Sequence, residues 1–147
     1  MSAPSAASPK ANSARNDQKL PGKYSRQREL IYQAVLESRE HPTADAVYQA
    51  VRRICPDISL GTVYRNLGRL AECGAIRKIG VPDGSDHFDG TLREHYHLFC
   101  TRCGCVYDID LPEIGEIARS VEQETGFAVT RYELTFHGLC ANCKQQK

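Results

Sequence analysis

Two Cys-x-x-Cys pairs, Cys100 with Cys103 and Cys140 with Cys143, constrain this chain more than any other feature. Two residues between cysteines is the tight loop spacing that brings two thiolates to one tetrahedral ion, and a matched second pair completes a closed four-thiolate set. Such a set leaves no coordination position for a substrate, so the expected role is a structural Zn(2+) site. Seven cysteines in a chain with no signal-peptide pattern argue for metal or redox chemistry over structural disulfides, and for a cytoplasmic protein. No apolar run approaches the length that crosses a bilayer, so no membrane is expected as a partner. Cys105 is a spare thiol or a competing ligand, and Cys55 and Cys73 read as small core residues.

The same stretch carries a second pattern. If His95-Tyr96-His97-Leu98-Phe99-Cys100 runs as a strand, side chains alternate, and His95 and His97 share a face as an i, i+2 imidazole pair. Further imidazole and carboxylate candidates are His41, His87, Asp89, Glu94, Asp108 and His137. A site of nitrogen and oxygen donors without sulfur suits Fe(2+), Mn(2+) or zinc. His41 and Asp89 precede a short connector and His95 and His97 follow it, so an ion shared among them would fix the angle between two halves. Metal binding would then act as a conformational switch.

The halves differ in composition. Of the 147 residues, those up to 90 hold 13 Lys/Arg against 10 Asp/Glu, a balance of +3, and the remainder hold 6 against 8, a balance of −2. The first half therefore favours a nucleic-acid partner. Residues 1–22 are rich in Ser, Ala, Pro, Asn and Lys without an apolar run, and are expected to be a disordered tail. From Ser25, a plausible N-cap, Leu30, Ile31, Ala34 and Val35 recur at helical spacing up to the His41-Pro42 stop. Thr43 caps a second helix with a stripe of Ala46, Val47, Ala50, Val51 and Ile54, ended by Pro56.

Ser59 or Leu60 opens a third helix reaching about Cys73, with Gly74 at C′. Leu60, Val63, Leu67, Leu70 and Ala71 fall on one face, and Thr62, Arg65, Asn66 and Arg69 on the other. Arg and Asn read base edges, and Thr62 or Tyr64 can bond phosphates. Ala75 to Ile79, a turn over Val81 to Ser85, and His87 to Asp89 make a β-ribbon. Three helices and a ribbon form a winged helix. The fold class is thus α+β: a winged-helix DNA-binding domain over 23–90, a hinge at 91–94, and a small α/β dimerisation domain over 95–147 held by the four-cysteine zinc site.

In that second domain, Tyr96 to Cys100 and Cys105 to Asp108 read as strands. Asp110 caps a helix with Pro112 and Glu113 in its first turn and a stripe of Ile114, Ile117 and Val121. Phe127 to Phe136 reads as a last strand with Val129, Tyr132 and Leu134 inside.

The segments His41-Pro42-Thr43-Ala44-Asp45, Ile58 through Leu67, His95 through Gly104 and Cys140-Ala141-Asn142-Cys143 together resemble the ferric uptake regulator family of metal-dependent transcription factors, over about residues 24 to 144. The resemblance is strongest to the peroxide-responsive (PerR) branch. That branch's regulatory site implies His41, Asp89, His95, His97 and Asp108 as ligands of Fe(2+) or Mn(2+). It implies a homodimeric repressor on a palindromic double-stranded DNA operator, which senses hydrogen peroxide when iron-catalysed oxidation strikes His41 and His95. No other small-molecule substrate is implied, and a protein consumed by its signal is not an enzyme. The alternative within the family is an iron-, zinc- or manganese-uptake repressor without peroxide sensing. A non-haem metal enzyme would leave the winged helix unused.

Overall fold

In the computed structural model, residues 20, 22–38, 40–81, 84–109, 111 and 115–146 are described. Three helices come first: α1 (Arg26–Glu37), α2 (Ala44–Arg52) and α3 (Leu60–Glu72). Each begins as its sequence dictates, because Ser25, Thr43 and Ser59 accept the backbone N–H three residues on. Helix α3 ends with Ala75 N–H on the Leu70 carbonyl and Gly74 N–H on that of Ala71. Strands β1 (Arg77–Ile79) and β2 (His87–Asp89) follow as an antiparallel ribbon pairing Arg77 with Asp89 and Ile79 with His87. The winged helix is complete.

Its core is made of Ile31, Val35, Val47, Val51, Val63, Leu67, Leu70 and Ile76, each no more than 1% exposed, with Phe88 of the ribbon packed beneath. At about 25 cal/mol per Å² of apolar surface, burying each such side chain stabilises the fold by about 1.5–3 kcal/mol. The stripe of α2 differs from the one expected. Ala44, Val47 and Val51 are buried, Ala46 and Ala50 are exposed, and Ile54 is 61% exposed beyond the helix end. Capping at Thr43 fixes the phase: counting from Ala44, every third or fourth residue meets the core.

The second half is a three-stranded sheet in the order β4-β3-β5, built from β3 (Tyr96–Cys100), β4 (Val106–Ile109) and β5 (Thr135–Gly138), with α4 (Gly115–Thr125) before β5 and α5 (Ala141–Gln145) after it. β3 is antiparallel to β4 and parallel to β5. The last strand is therefore shorter and later than the expected Phe127 to Phe136. Its pairing runs from His97 opposite Thr135 to Cys100 opposite Gly138, and residues 127–134 form no named strand. Of the expected interior residues, Val129 and Leu134 are half-buried and Tyr132 is exposed. The expected cap at Asp110, with Pro112, Glu113 and Ile114, lies outside the described residues, as does the tail at 1–19.

This half buries little apolar surface of its own. Its cluster of buried side chains is Cys100, Cys140 and Cys143, and α4 buries none of its residues. No described helix is long and apolar enough to cross a membrane.

Candidate metal centres

The four cysteines converge where β3 and β5 end and α5 begins. Their Sγ atoms lie within 4.8 Å of one another, three buried and Cys103 exposed. Cys103 and Cys140 are 3.9 Å apart. The edge of a tetrahedron with about 2.3 Å metal–sulfur bonds is about 3.8 Å, so the spacing fits a zinc-type centre. The backbone supports thiolate charge: Cys140 N–H points at Cys100 Sγ (3.3 Å) and Cys143 N–H at Cys140 Sγ (3.4 Å). Amides of Cys103 and Cys140 draw the Cys100 thiol down to about 6. Arg102 Nη1 ties the knuckle to the carbonyls of Cys143 and Gln146 at 2.5 and 2.6 Å.

The second cluster bridges the two halves. His41 lies on the loop before α2, Asp89 at the end of β2, His95 just before β3, His97 within β3, and Asp108 opposite His97 on β4. One donor atom from each falls within 4.8 Å of all the others. His41 Nε2 is 2.6 Å from Asp108 Oδ1, and His95 Nε2 is 2.9 Å from Asp89 Oδ2 and 3.1 Å from Asp108 Oδ1. His97 Nε2 stands 3.5 and 3.6 Å from the same two carboxylates.

Three of these buried atoms, Asp89 Oδ2, His95 Nε2 and His97 Nε2, have no oriented hydrogen bond despite the short approaches. Atoms aimed at a shared point rather than at one another are what a divalent cation satisfies. The residues therefore fit an ion of the Fe(2+), Mn(2+) or Zn(2+) kind. Only Asp108, its side chain 37% exposed, opens the cluster to solvent.

Backbone contacts aim these ligands. His95 Nδ1–H donates to the Arg93 carbonyl (2.8 Å), which turns Nε2 inward, and Thr91 N–H donates to Asp89 Oδ1 (2.7 Å). His87 Nδ1 donates to the His41 carbonyl at 2.6 Å, and Phe88 N–H to that of Pro42. His41 has φ of +45°, a conformation rare outside glycine, and these ribbon contacts hold it there. No side-chain pattern announces the Thr91 and Arg93 contacts, because both use the main chain.

Burial is the largest single influence on Asp89, Asp108 and His95, and it disfavours their charged forms. Mutual contacts overcome it. Close approach of the His95 and His97 rings and the hydrogen bond from the Thr91 amide hold Asp89 far below the usual carboxylate range, and His41 and His95 do the same for Asp108. The two carboxylates raise His95 to about 10. A proton on His95 thus stands in for positive charge.

Of the residues expected at DNA, Arg65 and Arg69 are exposed, Tyr64 is 49% exposed with its hydroxyl toward Asp45, and Thr62 is half-buried. Asn66 is a correction. It is 9% exposed and turned inward, its amide donating to the Thr62 carbonyl (2.9 Å) and its Oδ1 accepting from buried Arg28 (3.3 Å). A helical wheel cannot distinguish an amide facing solvent from one facing a buried guanidinium. Glu94 instead meets Arg77, and His137 packs edgewise on Phe99. Cys55, half-buried, packs against the helical core as expected of a small core residue, whereas Cys73 is exposed.

Fold and clusters define a winged helix joined to a small sheet domain with two metal-type donor sets. The pattern of the Ferric uptake regulator family matches residues 20–137. The chain belongs to that family. It is 34% identical over 120 residues to the peroxide-responsive repressor PerR of Staphylococcus epidermidis, covering 82% of this chain and 80% of that protein. Among solved structures, it is similar to the Campylobacter jejuni peroxide stress regulator (TM-score 0.69, 30% identity, 80% and 88% of the two chains covered). It is also similar to the Pseudomonas aeruginosa ferric uptake regulator with manganese (TM-score 0.67, 25% identity, 81% and 90% covered).

Proposed function

We propose that this chain is a metal-dependent repressor that binds double-stranded DNA as a homodimer and senses hydrogen peroxide through oxidation of its own histidines. One observation carries the reading: His41 and Asp89 from the winged helix and His95, His97 and Asp108 from the sheet domain converge on one point. Residues 91–94 are the hinge across which this convergence acts. With the donors drawn together, the angle between domains is set, and with it the spacing of two recognition helices on a palindromic operator.

Each α3 presents Arg65 and Arg69 to base edges or phosphates, while Thr62 and Tyr64 serve the backbone. The four-cysteine centre holds structural zinc, consistent with a half whose buried cluster is made of its own thiols. The exposed apolar residues Ile117, Val121 and Phe127 supply the surface for pairing subunits.

Fe(2+) held by these residues would supply the electrons that reduce peroxide, whereas Mn(2+) would not do so readily. His41 and His95 would be two of the ligands holding that ion and the residues that take up the oxygen. An oxidised imidazole is a poorer donor, the clamp between domains loosens, and DNA is released. The similarity to PerR supports this branch of the family.

The test is to treat the Fe(2+)-loaded protein with substoichiometric peroxide and weigh the peptides containing His41 and His95, with Mn(2+)-loaded protein beside it. A gain of one oxygen with iron only, and loss of operator binding in step, is the expected result. Metal-selective repression without the adduct would instead mark a repressor of iron, zinc or manganese uptake.

A further inference from the structure

The fifth thiol beside the four-cysteine centre has no part in either cluster. Cys105 is exposed and follows Cys103 by two residues in the turn between β3 and β4. Cys103 is in turn the one exposed member of the zinc-type set. Gly104 between them has φ of +73°, so the chain bends there instead of running on at the full two-residue span of a strand, about 6.6 Å. A disulfide needs its Cα atoms within about 4.4–6.8 Å, a range such a turn reaches.

Both residues line a cleft of about 930 Å³ between the two halves, whose walls also include His41, His87, Phe99 and His137. A water-sized oxidant that enters the cleft meets the zinc ligand, the spare thiol and one side of the histidine cluster.

We propose that Cys103 and Cys105 form a second, thiol-based oxidation site: peroxide oxidises the exposed ligand Cys103, Cys105 resolves it as a disulfide, and the structural ion is released. The step balances. The Cys103 thiolate sulfur bonds to one peroxide oxygen as the O–O bond breaks, and the departing hydroxide takes a solvent proton to become water. The Cys105 sulfur then displaces the new hydroxyl from Cys103, which leaves as water with the proton that Cys105 gives up. Two sulfurs lose two electrons, and one peroxide gains them.

Cys140 is the rival partner, with its sulfur 3.9 Å from Cys103. Cys105 has the advantage of being no ligand, so it attacks without a second metal–sulfur bond having to break. It is also exposed, where Cys140 is buried. This inference rests on the zinc reading of the four cysteines and not on iron chemistry at the histidines.

The experiment uses the full chain, stripped of iron, with its zinc content measured first. Hydrogen peroxide is added, zinc release is followed with a chromophoric chelator, and disulfides are mapped by differential alkylation and peptide mass. The expected result is loss of two hydrogens from the peptide bearing Cys103 and Cys105, in step with zinc release and reversed by a thiol reductant. Cys105→Ser, at an exposed position, should slow release several-fold. The proposal is overturned if Cys105 is still alkylated as a free thiol when zinc has left, if Cys103 is found paired with Cys140, or if the variant releases zinc at the wild-type rate. A chain carrying no zinc at the outset tells against the zinc assignment, and the disulfide map still decides the thiol pair.

Discussion

His41 shows how one residue serves backbone and site at once. Its φ of +45° sets the direction in which the ring leaves the loop, and a non-glycine residue held there costs about 1–3 kcal/mol that the ribbon contacts must offset. Asn tolerates that conformation but offers no imidazole. His41→Asn should therefore keep the thermal midpoint within a few degrees and retain zinc, while weakening Mn(2+) binding by about tenfold or more, as loss of even a supporting contact does. Titration calorimetry with metal counts would show it, and unchanged Mn(2+) affinity would remove His41 from the ligand set. Two neighbours on α3 should separate just as sharply. Asn66→Ala removes the acceptor of the buried Arg28 Nε and should cost about 1–3 kcal/mol in denaturant unfolding. Arg65→Ala, at an exposed position, should stay within about 0.5 kcal/mol of wild type yet abolish operator binding in a gel-shift titration. Equal stability losses in the two variants would contradict the inward turn of Asn66.

Helix α4 is an amphipathic element whose apolar side the described residues leave open: Ile117 is 51% exposed and Val121 44%. Ile117→Glu with Val121→Glu should convert the dimer to a monomer in sedimentation experiments while the zinc remains bound, since neither residue approaches the cysteines. A dimer that persists would place the subunit contact elsewhere. The same element marks where the sequence stops being legible. Helices α1 to α3 and the ribbon are readable because their caps and apolar stripes are answered within the same half, Ser25, Thr43 and Ser59 each beginning a turn. The two cysteine pairs were likewise readable, because metal chemistry restricts residue type and spacing more tightly than packing does; the histidine and carboxylate candidates were legible by type, and only the family resemblance singled out five of them. Residues 127–134 were not. Alternation such as Val129, Tyr132 and Leu134 announces a surface that wants a neighbour, without saying whether that neighbour belongs to this chain. Gly90 was missed for another reason: a Cβ there would stand 2.7 Å from Leu36 Cδ2 and 3.3 Å from its Cα, an approach between distant segments that no local pattern encodes.

At the scale of the whole molecule, protons and metal compete for the same atoms of the histidine cluster that lies between the halves. In the metal-free chain, His95 is raised from its ordinary value near 6.5 to about 10 by the two carboxylates it faces. Its contribution to the metal-free fold is therefore fully present below about 6.5 and lost as pH climbs through about 10. Asp89 and Asp108 are depressed, so theirs is present above the ordinary carboxylate range and lost only on strong acidification. Between those limits His95 carries its proton, and a metal ion can be ligated only by the neutral ring. Binding must then expel that proton, and apparent affinity should rise about tenfold per pH unit across roughly pH 6–8 for each proton released. Calorimetry of Mn(2+) binding in buffers of different ionisation enthalpy reads the proton count directly, with about one expected. As long as His95 keeps its proton, the imidazolium faces both Asp89 and Asp108 across the halves. Affinity independent of pH over that window would mean that His95 is already neutral, and that something other than a proton holds the two carboxylates side by side.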